Sequence, residues 1–394
     1  MEEIKGLEQL LNLPKGATVE QTVTRLTAPG ENYGSLMLKI DIKIKEESSE
    51  EKYLHLVGKC LPPNKEMQEI FDVDTTFRKE ILWYTEAIPT FHSFEKSGDT
   101  ENAPYCFPKL YGSRLSLKPE SNALDDDVLI LLENLVVQGY KTGNRLEGFD
   151  LQTTKVILST LARVHSVFTS IRLKEPATFQ EKIVPSLHSK EKDLPPFGPG
   201  VVSFLDKEKP EYRYLFPRIQ DTFNCSKLGT LELREPWLTV THNDLWVNNM
   251  LLKANGKSHD VMFLDFQMCA CGSPVLDLVF FLMTSVSLSV LRQRLDELLS
   301  FYYDEFIAGL KRMKLDTDAF TFDGFLNELK QEGKSNFIHS LFFVLIVLNN
   351  KEADATEESF DPQAFIRQLV TNINESQRDK ICYLVDEFAK REWI

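Results

Sequence analysis

The segment with the most chemistry in this sequence is Thr241-His242-Asn243-Asp244-Leu245-Trp246-Val247-Asn248-Asn249, followed 16 residues after Asn249 by Asp265-Phe266-Gln267 at the end of an apolar run. An aspartate with an asparagine five positions on, and then a second aspartate at a strand end, is the set that phosphoryl transfer from ATP requires. In that chemistry Asp244 orients and deprotonates an acceptor hydroxyl. The amide oxygen of Asn249 and the carboxylate of Asp265 are hard oxygen ligands suited to Mg2+, which bridges the phosphates and offsets charge developing in the transition state. The bland alternative is that Asp244 and Asn249 cap turns while Asp265 closes a strand. The H-x-D-x-x-x-x-N string alone would not decide between them; with Asp265 at its spacing the phosphotransferase reading is favoured.

A second set lies upstream. Lys59 sits in the strand-like run Tyr53-Leu54-His55-Leu56-Val57-Gly58-Lys59-Cys60, on the face it shares with Val57 and Tyr53, and a lysine on an inner face is costly unless an anion meets it. Glu80 falls at a core position of the helical stretch Met67 to Ala87, whose apolar stripe is Ile70, Val73, Phe77 and Tyr84. An ion pair between Lys59 and Glu80 resolves both anomalies and is the pair that aligns ATP phosphates in kinase-like folds. Each residue taken separately is more simply a solvated surface charge. The turn Pro29-Gly30-Glu31-Asn32-Tyr33-Gly34-Ser35 offers backbone amides over phosphates, assisted by Asn32 or Ser35, although it lacks a full G-x-G-x-x-G pattern and a bare hairpin would read the same. Leu131-Leu132-Glu133-Asn134-Leu135 is placed as a connector whose Glu133 and Leu135 backbone would meet adenine; a plain strand and turn is the alternative. His242 reads as a support of the catalytic loop and His165 as a satisfied core histidine.

The elements that must position these residues divide the chain. Residues 1–134 read as strand-rich: Ser35 to Lys45 alternates apolar and polar residues with Leu36, Leu38, Ile40, Ile42 and Ile44 on one face. A charged turn separates it from a second strand over Lys52 to Leu61, and Val128 to Leu132 is a buried strand. Residues 135–394 turn helical, with helices over Thr154 to Ile171, Leu288 to Arg312, Asn336 to Leu348 and Gln377 to Lys390, interrupted by apolar segments at Trp237 to Val240 and Val261 to Leu264. The expected fold class is α+β and bilobal, protein-kinase-like, with a small antiparallel sheet lobe and a larger, mainly helical lobe.

Composition narrows the partners. With 59 acidic against 45 basic side chains the net charge is −14, and the basic residues are dispersed, so nucleic acid and an anionic membrane are not expected partners. ATP must then be bound by local donors and a metal. The N-terminus shows no secretory pattern, and the most apolar stretches, Leu278 to Leu291 and Phe337 to Leu348, are shorter than the roughly 20 residues a membrane span needs; both read as buried helices. The six cysteines form no zinc spacing or disulfide scaffold, and the expected location is cytoplasmic. The oligomeric state leaves no sequence signal.

After Asp265 the chain runs through Gly272-Ser273-Pro274 straight into the apolar helix opened by Asp277-Leu278, leaving no room for the peptide-holding segment of a protein kinase. A small-molecule acceptor is the reading favoured over a protein kinase. The runs THNDLWVNNMLL, VMFLDFQMCACGSPVLDLVFFLMTS, LVGKCLP and FRKEILWYTEAIP resemble the insect ecdysteroid kinase-like family, related to choline and aminoglycoside kinases, over roughly Glu31 to Glu387. The resemblance implies phosphorylation of an alcohol on a steroid hormone or on a dietary or foreign compound, with Asp244 as base, Asn249 and Asp265 on Mg2+, and Lys59 on phosphate. Where that family most often has glycine between the His and the Asp, this chain has Asn243. A binding protein of the same fold that has lost catalysis is the remaining alternative.

Overall fold

The computed structural model describes residues 3–394 except 28–33, 46–49, 98–103, 119, 188–191, 194–196, 225–226, 229–233, 257 and 350–361. Among the described residues the chain divides into two compact units, one built from the chain up to Pro89 and Phe107–Lys141, the other from Thr90–Cys106, the chain from Thr142 to Asn349 and the chain from Pro362 to Ile394. Lys141 closes the second stretch of the first unit, and Thr90–Cys106 belongs with the helical unit.

The first unit is an antiparallel sheet of five strands, β1 (Thr18–Arg25), β2 (Leu36–Lys45), β3 (Lys52–Cys60), β4 (Leu110–Arg114) and β5 (Leu129–Glu133), in the order β1-β2-β3-β5-β4. The alternation along β2 works as expected: Leu38, Ile40, Ile42 and Ile44 are buried on one face together with Leu56, Leu129, Leu131 and the N-terminal Ile4 and Leu7. Gly58 permits this packing, because a Cβ there would lie 2.7 Å from the Ile40 Cδ1 methyl. The strand β1, which the sequence reading did not single out, pairs with β2 from Thr18↔Lys45 to Arg25↔Leu38.

The single helix expected over Met67 to Ala87 is broken. Helix Lys65–Ile70 ends, Asp72 takes a left-handed backbone with φ of 47°, and a new helix Val73–Leu82 begins. Ile70 is 44% exposed and so leaves the predicted stripe, whereas Val73, Phe77 and Tyr84 are buried. Beyond Leu82 the turn Trp83–Ala87 widens to a π-helix before helix Ile88–Ser97; Pro89, with no N–H to give, sits directly after that widening.

In the second unit the Leu151–Lys174 helix packs along Leu288–Arg312, and Gly333–Val347 is packed by Val275–Ser285 and Glu375–Lys390. The last of these opens on a capping box between Asn374 and Gln377. The apolar run Leu278 to Leu291, read as one helix, is two: Val286 is extended between Val275–Ser285 and Leu288–Arg312. Phe149 explains the break, donating its N–H to Ser285 O and accepting from Ser287 N at 2.8 and 3.1 Å, as a strand partner would. The two predicted apolar interruptions are short strands. Thr239–Thr241 pairs with Ala270–Gly272, and Met250–Asn255 forms a hairpin with Ser258–Phe263.

Among the described residues one helix, Leu151–Lys174, is long and apolar enough to cross a membrane, and 67% of its apolar window is buried inside the structure, as in an ordinary core helix. The five described cysteines are free thiols; Cys225 lies outside the described residues.

Candidate active site

The catalytic loop hangs between a short strand and a hairpin. Thr239–Thr241 delivers His242 to Asp244, the 3-10 turn Val247–Asn249 follows, and Asn249 leads into the hairpin whose return strand ends at Phe263. Leu264 N donates to Asn249 O at 2.9 Å, continuing the ladder one step past the Met250↔Phe263 pair. Asn249 and Asp265, 16 residues apart in sequence, are thereby brought to the same end of one hairpin.

Side-chain bonds tighten the arrangement. Asn249 Nδ2 donates to Asp244 Oδ2 at 2.7 Å and to Asp244 O at 2.8 Å. Both amide hydrogens are used within the loop, so the Asn249 carbonyl oxygen is left as the acceptor end of that side chain. His242 Nε2 donates to Leu264 O at 2.9 Å while its Nδ1 accepts from Asp244 N at 3.3 Å, tying the two aspartate segments together. Burial pushes the His242 imidazole below its ordinary pKa, against the pull of Asp277, in keeping with a support role. Its ring lies 5.3 Å from that of Phe266, the residue after Asp265.

Two loop residues hold left-handed backbone, Asn243 with φ of 60° and Asp265 with φ of 63°. Position 243 needs positive φ, which glycine adopts freely and asparagine tolerates best among residues with a Cβ. Asn243 adds a bond from Nδ2 to Met268 O at 3.2 Å. At Asp265 the same left-handed conformation falls on a residue with a Cβ, and such conformations persist only where the surrounding structure over-determines them.

The residue that sequence reasoning missed is Asp277, fully buried at the start of the Val275–Ser285 helix. Its Oδ2 accepts from His242 N at 2.6 Å and its Oδ1 from Asn243 N at 2.8 Å, fixing the loop just before Asp244. His165 Nε2 donates to Oδ2 at 3.1 Å, and the Tyr302 hydroxyl donates to His165 Nδ1 at 2.6 Å. Burial alone would raise the Asp277 carboxyl, but His165 and the backbone donors outweigh it and hold it below the ordinary carboxylate range. The available sequence signal was an acid opening a helix that is apolar up to Met283, which demands buried partners. His165 is the satisfied core histidine it was expected to be.

Gly143 marks a close approach to the same loop: a Cβ there would fall 2.8 Å from Val247 Cγ2 and 2.4 Å from Phe149 Cε1.

In the sheet unit, Lys59 Nζ meets Glu80 Oε2 at 2.6 Å, with side chains 4% and 2% exposed. Lys59 on β3 lies opposite Met37 and Ile130, on the sheet face away from the aliphatic cluster, and Glu80 projects from Val73–Leu82. Ser35 is buried immediately before β2, its hydroxyl 3.6 Å from Met37 Sδ, and Asn32 lies outside the described residues. Glu133 closes β5: its N–H donates to Lys109 O, while its carboxylate accepts from Lys109 N at 2.8 Å and Gln138 Nε2 at 2.8 Å. Leu135 opens a 3-10 turn capped by Asn134.

Among the described residues no three His, Cys, Asp or Glu side chains cluster as a closed metal site. The Asn249 amide oxygen and the Asp265 carboxylate fit a different donor set, one or two protein oxygens completed by phosphate and water, which is how Mg2+ is held in nucleotide enzymes.

A Lys–Glu pair in an antiparallel sheet unit, with an H-x-D loop and a strained Asp after a hairpin in a helical unit, defines a protein-kinase-like phosphotransferase architecture. The chain belongs to the ecdysteroid kinase-like family, whose model matches residues 29–315. A comparison with curated proteins finds no match. Among solved structures the chain is similar to an ethanolamine kinase of Plasmodium vivax, at 10% identity and a TM-score of 0.38, covering 94% of this chain and 81% of that one. It is also similar to a microcompartment-associated aminopropanol kinase, at 13% identity and a TM-score of 0.43 over 98% and 97% of the two chains. A GDP complex of an aminoglycoside 2'-phosphotransferase follows, at 12% identity and a TM-score of 0.40 over 94% and 91%. None of these likenesses is close enough to assign an acceptor.

Proposed function

We propose that the protein is an ATP- and Mg2+-dependent kinase that phosphorylates a hydroxyl group of a small molecule. Asp244 takes the proton of the acceptor hydroxyl as its oxygen forms the new bond to the γ-phosphorus, and the bond from that phosphorus to the β–γ bridging oxygen breaks, releasing ADP. Asn249 and Asp265 would hold Mg2+, which supplies charge neutralisation on the phosphates when bound. Lys59, held by Glu80, offers a cation to phosphate, and the backbone at Glu133 and Leu135 meets the adenine. A soluble cytoplasmic setting fits this chemistry.

The observation that carries the reading is the Asn249–Asp244 contact of 2.7 Å. It orients the Asp244 carboxylate and turns the amide oxygen of Asn249 outward at once. A bland turn cap would need only the accompanying bond to Asp244 O, not the one to the carboxylate. The test is transfer of the γ-phosphate of ATP to an alcohol panel including ecdysteroids, with and without Mg2+, for the wild type and Asn249→Ala. Metal-dependent transfer to a small molecule, weakened at least about a hundredfold in the variant, is expected if a metal ligand has been lost. Label found only in peptides would establish a protein kinase, and no turnover by the wild type on any acceptor would establish an inactive binding member.

A further inference from the structure

Spacings of three and four along the Glu375–Lys390 helix put Ile381, Leu384 and Phe388 in the core and set Arg378, Asp379, Cys382, Tyr383 and Asp386 along the flank beside them. That flank does not close against its neighbours. It walls a cavity of about 430 Å3 together with Glu208 and Lys209 at the end of the Gly198–Glu208 helix, Tyr212 from the Pro210–Leu215 turn and Arg292 from the Leu288–Arg312 helix. A volume of that size is in the range of small-molecule sites. Among the described residues none that lines it belongs to the catalytic loop or to the residues assigned to nucleotide or metal.

The polar groups around this cavity are unequally committed. Tyr383 is only 7% exposed, yet its hydroxyl has no hydrogen-bond partner, whereas a buried phenol normally finds one. Burial, with Glu387 close by, pushes that hydroxyl above its ordinary pKa, so it stays protonated and is a donor. Arg292, near enough to counter part of that rise, makes no hydrogen bond or ion pair of its own among the described residues. Arg378 has Glu375, Asp379 and Glu208 at 3.6, 3.7 and 3.9 Å, and Lys209 has Glu211 at 3.6 Å, all longer than a hydrogen bond. Of the acids that line the cavity, Asp386 already accepts from the Tyr212 hydroxyl at 2.7 Å, while Glu208 and Asp379 are the two beside Arg378. Three cations with unused N–H donors, and a buried hydroxyl with nothing to donate to, share the lack of an acceptor. An oxyanion supplies it.

We propose that this cavity is a second ligand site, distinct from the phosphotransferase centre, and that it takes a small organic oxyanion, a carboxylate or a phosphate monoester, whose oxygens accept from the Tyr383 hydroxyl and the Arg292 guanidinium. Arg378 and Lys209 supply the remaining positive charge. Glu208 and Asp379 set a limit, since a chain of phosphates as long as that of ATP would meet carboxylates of its own sign. Binding here requires no phosphate transfer, so the site stands or falls apart from the kinase reading.

The experiment is calorimetric titration of the full chain at constant ionic strength with citrate, glycerol 3-phosphate and choline, each with and without Mg2+ and ATP. The expected result is saturable binding of citrate or glycerol 3-phosphate, one per chain and unchanged by ATP, the tighter of the two telling carboxylate from phosphate. Arg292→Gln and Tyr383→Phe should each weaken that binding about tenfold, as loss of one hydrogen bond to a charged group does. Tyr383→Phe carries its own folding control. Without a probe it should melt no lower than the wild type, because the hydroxyl it removes has no partner. A lower melting temperature of Tyr383→Phe, binding unchanged by either substitution, displacement of the probe by ATP, preference for choline, or no binding of either anion at millimolar concentration would overturn the inference.

Discussion

Each unit buries a carboxylate beside its candidate site residues, and the two are held in different ways. Glu80 in the sheet unit meets a side chain, the Lys59 ammonium at 2.6 Å. Asp277 in the helical unit meets two backbone N–H groups at 2.6 and 2.8 Å, with His165 as a side-chain partner. The first is a pair of charges that present a cation; the second is a fastening that gives a loop its shape. A pair can be exchanged as a pair, whereas a fastening to main chain has no partner to exchange.

The largest expected effect follows directly. Asp277→Ala orphans two backbone donors and His165 in a dry site, and should lower stability by about 3–5 kcal/mol, read by chemical denaturation, with no compensating second substitution available. Because its carboxyl is held below the ordinary range, the stability its ionised form contributes is present above the unfolded carboxylate pKa and is lost as pH falls through the folded one. Lys59→Ala should cost a similar amount by taking the ammonium away from the buried Glu80 carboxylate, but the double variant Lys59→Met, Glu80→Leu should recover most of it while transfer activity stays abolished. If the double variant were no more stable than Lys59→Ala, the contrast between pair and fastening would fail.

Another buried charge sharpens the same comparison. Lys380 is 5% exposed with its ammonium on Val286 O at 2.6 Å, and burial pushes its pKa down to about 7. Between that value and the 10.5 of the unfolded chain only the unfolded state carries the proton. Stability should therefore rise with pH across this window by up to about 1.4 kcal/mol per pH unit, and Lys380→Met should flatten that slope in denaturation curves run from pH 7 to 10. An unchanged slope would show the ammonium to be solvated.

The smallest effect concerns loop shape. Asn243→Gly should be nearly neutral in stability, since the position has φ of 60°, whereas Asn243→Val should cost about 1–3 kcal/mol from left-handed strain alone, with a fall in kcat. Equal stability of the two variants would mean that the loop can change its backbone.

The same contrast explains what could be read in the sequence. Glu80 was legible because it interrupts an apolar stripe and Lys59 interrupts an inner strand face, so two anomalies named each other. The alternation of β2 and the long helical periods were legible for the same reason, since burial leaves a side-chain pattern. Asp277 was not, because backbone N–H groups leave no trace in residue identity. Nor was the break at Asp72, where a residue with a Cβ takes a turn that glycine would have announced, or the split at Val286, whose extended backbone depends on Phe149 far earlier in the chain.

The measurement that bears most directly on the whole account is Mg2+-dependent γ-phosphate transfer from ATP to a small-molecule alcohol by the wild type and by Asp244→Asn, which keeps the shape of the side chain and removes its basicity. The account predicts transfer by the wild type and a loss of about 10²–10⁴ in kcat for the variant, with its fold and ATP-dependent thermal stabilisation retained. Equal turnover by the two proteins would contradict it.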